Sequence, residues 1–570
     1  MSRRPSNAEI ADALQLLGDL LQLQGAIRHR VLAYHRGAAR IRGTGESVAE
    51  LALRGRAVDL PDIGATLQAK IVELAETGTI AALDRARGET PEGLVQVARL
   101  DGIGPKRAVA AWQALGITGL DDLRAAVDAG RLSEVPGIGA STQESVARQL
   151  GEEREPGAPR VSLGIAMPQA QTVLEVLRGV PEVRRAELAG SLRRGRELVH
   201  DVDLVVATDA PAAVRDALAG ASSIAAVLDG GEQRQAVLTQ SGLRVEIAMT
   251  PPATFGNLLQ HATGSAAHNI RLREMAVRRG WSISEHGITT DDGSVLTHDD
   301  ERDVYAALGL AWIPPELRED RGELDVAEAG EVPELVTQEQ ILGDVHVHSD
   351  WSDGRADMAT MVQAAIARGY RYLGFADHSV SLAMTRGLSP DRVRRQWEAI
   401  DELAERVPGI VILKCTEVDI LADGGLDFDD ELLAGFDVVV ASLHSGLQSS
   451  GAEATARVLA AIDNPHVRAI GHPTGRMLGR RPGLELDIER IAERAAATGT
   501  ALEINGQPRR LDLDSSMARV ALEAGVELLV SSDAHTPEDL TFQEFAVRVA
   551  RRAGATPDRV LNTRFGWWES

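Results

Sequence analysis

From Gly343 onward the chain alternates between short apolar runs of strand length and amphipathic stretches of helix length, and few folds accommodate that rhythm. Seven runs end as DVHVHS, LGFADHS, LKCTEVD, VVVASLHS, RAIGHPTG, LEINGQP and LLVSSDAH, with stretches such as MATMVQAAIARG and IERIAERAAATG between them. Seven such units predict a closed parallel barrel, a relative of the eight-unit barrel. In that architecture chemistry gathers at the C-terminal strand ends, which is where this segment keeps its His, Asp and Glu. His346, His348, Asp353, His378, Glu417, His444, His472, Asp533 and His535 are therefore expected to converge on one mouth. A lone buried histidine is more often a satisfied core group than a ligand. Nine donors on six of seven strand ends point instead to metal. They exceed the needs of one ion, so two or three divalent ions are expected; imidazole with carboxylate suits Zn, Mn or Fe. Clustered ions of this kind clamp a phosphate ester and generate hydroxide at neutral pH.

A second constraint is the stretch GSLRRGRELVHDVDLVV at 190–206. A strand over 199–207 places Asp201 and Asp203 on one face. Adjacent carboxylates repel unless a cation lies between them, and Mg²⁺ takes one or two carboxylates and completes its shell with substrate phosphates. An acidic edge strand reads the same way until a third carboxylate appears. Glu246, mid-strand in LRVEIAM at 243–249, supplies it. The Gly190-Ser191 turn and Arg193-Arg194 offer N–H groups and guanidinium forks to a triphosphate.

Residues 7–42 show apolar spacing of three and four, hence helices. Three related segments follow: LPDIGATLQAKI, LDGIGPKRAVA and VPGIGASTQESV. Each opens an amphipathic helix with a Gly-Ile-Gly turn or a near variant. Gly64, Gly102, Gly104, Gly137 and Gly139 permit the turn, and the helix starts offer free N–H groups to a phosphate. This is the helix-hairpin-helix signature, and three copies favour sequence-independent contact with a DNA backbone. Asp62 stands in the first copy where the others have glycine. Residues 152–160 read as a linker and 168–177 as a helix with Pro at its start. Residues 255–286 read as a mostly helical, Arg-bearing segment, and 319–337 as an acidic boundary.

At 570 residues the chain holds three or more domains, and 44% apolar with 25% charged residues is globular composition. A single cysteine, Cys415, excludes an internal disulfide and fits a reducing cytosol; no apolar leader or membrane-length run is present. The net charge of -24 is uneven: residues 1–150 carry 18 Lys+Arg against 18 Asp+Glu, whereas residues 319–570 carry 25 against 43. Acidity of this kind does not exclude DNA, because a backbone-reading site needs local donors rather than a basic total.

Over nearly its whole length the chain resembles the bacterial family X DNA polymerases that carry a C-terminal polymerase-and-histidinol-phosphatase (PHP) domain. GSLRRG, the Asp201/Asp203 pair, TGSAAHN at 263–269 and VYAALGLAWIPPELRED at 304–320 carry the resemblance, with HVHSDWSDG, ADHS, ASLHS, GHPTGR and SDAH in the barrel. It implies a multidomain chain: α-helical helix-hairpin-helix domains, an α+β nucleotidyltransferase palm and a distorted (β/α)7 PHP barrel. The boundaries expected are a lyase-like domain at 1–87, fingers at 88–151, palm at 161–250, nucleotide-binding subdomain at 251–318, linker at 319–337 and barrel at 338–570. The activities implied are template-directed gap filling and manganese-dependent 3′→5′ exonuclease or 3′-end processing in DNA repair, with gapped or nicked DNA, DNA 3′ ends and dNTPs as partners. A cytoplasmic monomer without a membrane partner is expected. Asp201 and Asp203 would bridge two Mg²⁺ or Mn²⁺ ions and Glu246 one; Ser191 and Arg194 would hold phosphates on the Gly190 turn. Asn269 and Arg273, beyond Gly264-Ser265, would contact base and template. Two or three Mn²⁺ or Zn²⁺ (or Fe) would fill the barrel. Lys70 falls where relatives keep a Schiff-base lysine of a 5′-deoxyribose-phosphate lyase; by its residues alone it reads as a solvated helix lysine.

The chain also departs from the family. Glu246 stands where Asp is usual, and moving a carboxylate by about 1 Å costs on the order of 10²-fold in a positioned reaction. His261-Ala262 replaces an aromatic pair, and Ala266 stands where bacterial members often have Lys. These departures predict weak or absent nucleotide addition. The alternatives are a PHP nuclease with a weak or inactive palm, a PHP phosphatase for a small phosphate ester, and a non-catalytic DNA-end scaffold.

Overall fold

The computed structural model describes residues 4–100, 102–151 and 160–569. Its contacts form two compact units. One comprises Met1–Pro159, Pro168–Ala186 and Thr208–Met249; the other comprises Arg160–Met167, Glu187–Ala207 and Thr250–Ser570. Residues 152–159 of the expected linker lie outside the described residues.

In the first unit, the Ser6–Glu9 capping box starts the helix Asn7–Leu23, whose Ile10, Leu14, Leu17 and Leu20 are buried. It packs on the helix Arg28–Gly43 through Val31, Tyr34, Ala38 and Ile41. The three hairpin turns share one backbone solution. Asp62, Gly102 and Gly137 take φ of +64°, +91° and +84°, while Ile63, Ile103 and Ile138 are buried. The helices that follow are Ala65–Thr77, Gly104–Leu115 and Ala140–Gly151.

The strand expected over 199–207 is interrupted. β1 (Val161–Ser162) pairs antiparallel with β2 (Leu198–Val199), the chain bends at His200-Asp201, and β3 (Val202–Thr208) follows. The break arises because Val199 pairs with Val161, while Val202, Leu204, Val205 and Val206 are buried in the core. Asp201 and Asp203 are both partly exposed, Asp201 in the bend beside the exposed His200 and Asp203 between the buried Val202 and Leu204. In the first unit β4 (Ile224–Val227), β5 (Arg234–Thr239) and β6 (Arg244–Thr250) form an antiparallel meander that sets Glu246 opposite Ala236.

Two further expectations are corrected. Pro168 lies within the helix Leu163–Arg178, not at its start; near the N-terminal end a proline with helical φ forgoes only one backbone bond. Residues 319–337 are not a spacer. They carry the helix Glu323–Ala329, with Leu324 and Ala327 packed beside Leu272, Tyr305 and Ile313. Two of their carboxylates have close partners: Glu323 meets His268 at 2.7 Å, and Glu319 meets Arg194 and Arg552 at 3.1 and 2.9 Å.

The barrel strands are β7 (Gly343–Val347), β8 (Tyr372–Phe375), β9 (Val411–Asp419), β10 (Val438–Ser442), β11 (Val467–Gly471), β12 (Ala501–Asn505) and β13 (Leu528–Ser531). They pair in parallel in sequence order. The seven-strand barrel nearly closes where Val347 bridges Ala534 and the Ser532 N–H donates to Asp344 at 2.8 Å. Val345, Tyr372, Val440, Ala469 and Leu529 belong to one apolar cluster, joined by Leu561 and Trp567 from the C-terminal segment. Among the described residues no helix is long and apolar enough to cross a membrane.

Candidate metal centre and polymerase site

All nine barrel residues singled out from sequence meet at the C-terminal strand ends. They fall into four overlapping groups: His348, Asp353, His378 and His535; His346, Glu417 and His472; His346, His348 and Asp533; and His378, Glu417 and His444. Within each group the candidate ligand atoms lie within 4.8 Å of one another. Glu417, on β9, is the hub: its carboxylate is 2.8 Å from His472 Nε2, 2.9 Å from His378 Nδ1 and 3.2 Å from His444 Nε2. His348 Nε2 lies 3.1 Å from Asp533.

The donor set fits divalent cations. His346 Nε2, both ring nitrogens of His348, His472 Nδ1 and Glu417 Oε1 are buried without a hydrogen-bond partner, an arrangement that is costly unless a cation satisfies it. Burial opposes ionisation of Glu417 and Asp533, but the imidazoles around them prevail and hold both carboxyls well below the usual range. Two ligands also occupy the left-handed region, His472 at φ +25° and Asp533 at φ +53°, as at other functional sites where surrounding structure imposes the backbone.

Sequence reasoning missed the residues that orient these ligands. Glu503, on β12, accepts from His346 Nδ1 at 2.6 Å and from the His472 N–H at 2.5 Å. Asp419 accepts from His444 Nδ1 at 2.6 Å. Such partners fix which ring nitrogen faces the centre. Both carboxylates were hidden inside apolar runs, although Asp419 shares a strand face with Glu417, two residues earlier. Asp344 also escaped notice, and burial pushes its carboxyl up to about 6.

In the polymerase part, Gly190 sits at φ +58°, and a Cβ there would fall 1.8 Å from Asp203 Oδ2, so only glycine fits. Arg193 makes a forked bond to Glu301 at 2.7 and 2.9 Å and reaches Thr263 Oγ1 at 2.6 Å. The buried Arg318 completes this network on Glu301 at 2.6 Å. Burial disfavours the Glu301 carboxylate, yet Arg318 and Arg193 overrule it and hold it well below the usual range. Arg194 donates to Glu319 at 3.1 Å and to the Thr263 carbonyl. Arg552 in turn donates to the Arg194 carbonyl and to Glu319, at 2.8 and 2.9 Å.

Ser191 is half-buried within the short helix Gly190–Arg193. Gly264, at φ +68°, leaves room for Arg194, and Ser265 caps the helix Ala266–Val277. Asn269 bonds the His261 carbonyl and Gln260, both at 2.9 Å, while Arg273 is exposed beside Ile270 and Val277. Arg244 donates to Glu246 at 2.8 and 2.9 Å. Asp201 and Asp203 lie in one unit and Glu246 in the other. Among the described residues no three-ligand group includes any of them. Lys70 is half-buried in the helix Ala65–Thr77. Gly64, Gly102, Gly137 and Gly139 are exposed and Gly104 half-buried, so the hairpin turns present backbone to solvent.

Fold and centre together define a protein that contains a metal-dependent phosphoester site. The family model described as DNA polymerase beta thumb matches residues 258–319, and the PHP domain model matches 344–505. A helix-hairpin-helix domain matches 5–80, and a SAM-like helix-hairpin-helix tandem matches 95–152. A Bacillus subtilis (strain 168) protein named DNA polymerase/3′-5′ exonuclease PolX is 36% identical over 560 residues, 98% of this chain and 97% of that one. A probable phosphatase of Thermoanaerobacter sp. (strain X514) is 36% identical over 174 residues, 29% of this chain and 69% of its own. Another, of Syntrophotalea carbinolica, is 29% identical over 229 residues, 38% of this chain and 90% of its own. The chain belongs to the family X DNA polymerases that carry a PHP domain.

Proposed function

We propose that this chain is a two-site DNA repair enzyme. Its polymerase part adds dNTPs to gapped or nicked DNA, and its barrel removes nucleotides from DNA 3′ ends in the 3′→5′ direction. The observation that carries this reading is the end-to-end similarity to the Bacillus subtilis PolX protein, which spans the hairpins, the polymerase part and the barrel together. The phosphatases named above cover only a part of this chain, and three hairpin turns serve DNA backbone rather than a small ester.

In the barrel, the nine ligands would hold two or three Mn²⁺, Zn²⁺ or Fe ions, which polarise a phosphoryl oxygen and supply hydroxide at neutral pH. Glu503 and Asp419 keep His346 and His444 turned toward the centre. In the polymerase part, Asp201, Asp203 and Glu246 would hold Mg²⁺ or Mn²⁺. The Gly190-Ser191 turn and Arg194 would receive the triphosphate, Arg194 exchanging Glu319 for a phosphate oxygen. Asn269 and Arg273 would face base and template, and exposed N–H groups at Gly64, Gly102, Gly104, Gly137 and Gly139 would take DNA phosphates. Lys70 would serve a lyase step only if its amine were free to attack a sugar aldehyde. The protein would work in the cytoplasm as a monomer.

A second reading is favoured by Glu246, which is longer than the usual Asp and held by Arg244: a PHP nuclease with a weak palm. A gapped duplex incubated with Mn²⁺ and dNTPs tests both activities at once. Shortening of the primer strand is expected, with extension weak because Glu246 stands where Asp is usual, and both cease when EDTA removes the metal. Shortening that persists in EDTA refutes the metal centre, and shortening without extension establishes the second reading.

A further inference from the structure

The barrel mouth carries a positively charged feature beside the ligand set. Four arginines, Arg480, Arg481, Arg509 and Arg510, come from the loops that follow the neighbouring strands β11 and β12. The two loops are tied together, since the Leu478 N–H donates to the Arg509 carbonyl at 2.7 Å. Each is also closed on itself, by Met477 N–H to the Arg481 carbonyl at 2.9 Å and by Arg510 N–H to the Gln507 carbonyl at 2.7 Å. Arg481 is fixed by two bonds to the Gly475 carbonyl, at 3.2 and 2.6 Å, in the segment that begins at the ligand His472. Arg510 Nε lies 3.7 Å from Asp533 Oδ2, so the cluster starts at the rim of the metal centre. Arg480 and Arg509 extend outward, are exposed, and have no ion-pair partner among the described residues.

This grouping runs against its surroundings. Residues 319–570 hold 43 Asp+Glu to 25 Lys+Arg, so carboxylate partners are abundant, yet among the described residues the only carboxylate within 4.0 Å of the four guanidiniums is that of Asp533. The like charges also feel one another: the half-buried Arg481 feels Arg510 and Arg480, and the exposed Arg509 feels Arg480. Like charges held together on fixed loops form a favourable site for an anion of matching extent. A guanidinium fork is the side chain best shaped for phosphate oxygens, and successive phosphates of one strand supply charges in a row.

We infer that Arg480, Arg481, Arg509 and Arg510 form a phosphate-backbone track. It grips the single strand on the 5′ side of the terminal nucleotide while that nucleotide lies at the metal centre. The inference rests on the exonuclease reading above and identifies the substrate of that site as a strand several nucleotides long, not a lone phosphate ester.

The double variant Arg480→Ala/Arg509→Ala tests it, because neither side chain holds the fold. With Mn²⁺ present, KM for a single-stranded oligonucleotide is expected to rise about 10- to 100-fold. Its salt dependence is expected to weaken by about 1.4 in log–log slope, from two lost phosphate contacts. Hydrolysis of bis(p-nitrophenyl) phosphate should stay within about twofold of the wild type, since so small an ester cannot span the track. Unchanged KM and salt slope on DNA overturn the track, as does an equal loss on DNA and the small ester, which marks a structural defect. A wild-type protein that hydrolyses the small ester but never shortens DNA overturns the exonuclease reading itself, and the track with it.

Discussion

At the scale of single residues, Glu301 is a buried charge outside the metal centre held by two arginines. It serves Arg318, which is fully buried, and Arg193 from the GSLRRG turn, while Trp312 donates to it at 3.1 Å. Removing the carboxylate leaves two guanidiniums unpaired, so Glu301→Gln should cost about 3–5 kcal/mol in chemical denaturation. The pH dependence has a definite sign. The folded carboxyl titrates below its unfolded value, so its contribution is complete above about pH 5 and fades as pH falls through the acid range. Wild-type stability should therefore drop more steeply below pH 5 than that of Glu301→Gln, and equal slopes would count against this network. Residues of this kind were only partly legible in the sequence. The nine barrel candidates stood out because His, Asp and Glu recur at or just past the C-terminal ends of six of the seven strand runs, where a barrel gathers its chemistry. Glu503 and Asp419 did not, since a carboxylate inside an apolar run gains its meaning only from the neighbouring strand. Arg194 was read as a phosphate ligand, while its bonds to Glu319 and Thr263 cross more than sixty residues of sequence and leave no local trace.

At the scale of elements, the barrel was legible because its short apolar runs and helical stretches alternate strictly, and parallel pairing then follows from the need for crossovers. The strand through Asp201 was less so: apolar character continues across 198–208, and only the partner segment at Val161–Ser162 reveals the bend. The acidic stretch at 319–337 misled for a related reason, as composition cannot distinguish solvated carboxylates from carboxylates already paired. The hairpins were read correctly down to the odd residue, Asp62. Its φ of +64° explains why glycine stands at the matching positions, Gly102 and Gly137. Aspartate tolerates this region and alanine does not, so Asp62→Ala should lower the stability of the first hairpin by about 1–2 kcal/mol relative to Asp62→Gly. Thermal unfolding of the two variants measures the difference, and identical midpoints would show that the turn relaxes to another conformation.

At the scale of the whole molecule, the chain carries two kinds of phosphate chemistry with different supports. The barrel centre is built from nine groups whose atoms already converge, with Glu503 and Asp419 fixing two of the rings. Of the polymerase candidates, Asp201 lies in the bend before β3, Asp203 on β3 and Glu246 on β6, where Arg244 engages it. Nucleotide removal should therefore depend on the barrel alone and nucleotide addition on the palm alone. The most direct measurement is a crossed assay on one gapped duplex with Mn²⁺ and dNTPs, comparing wild type, Asp203→Ala, His348→Ala and Asp533→Ala. The two barrel variants should lose 3′-end shortening and keep whatever extension the wild type has, while Asp203→Ala keeps shortening and loses extension. Shortening that survives both barrel substitutions, or that disappears in Asp203→Ala, would contradict the assignment of removal to the barrel centre.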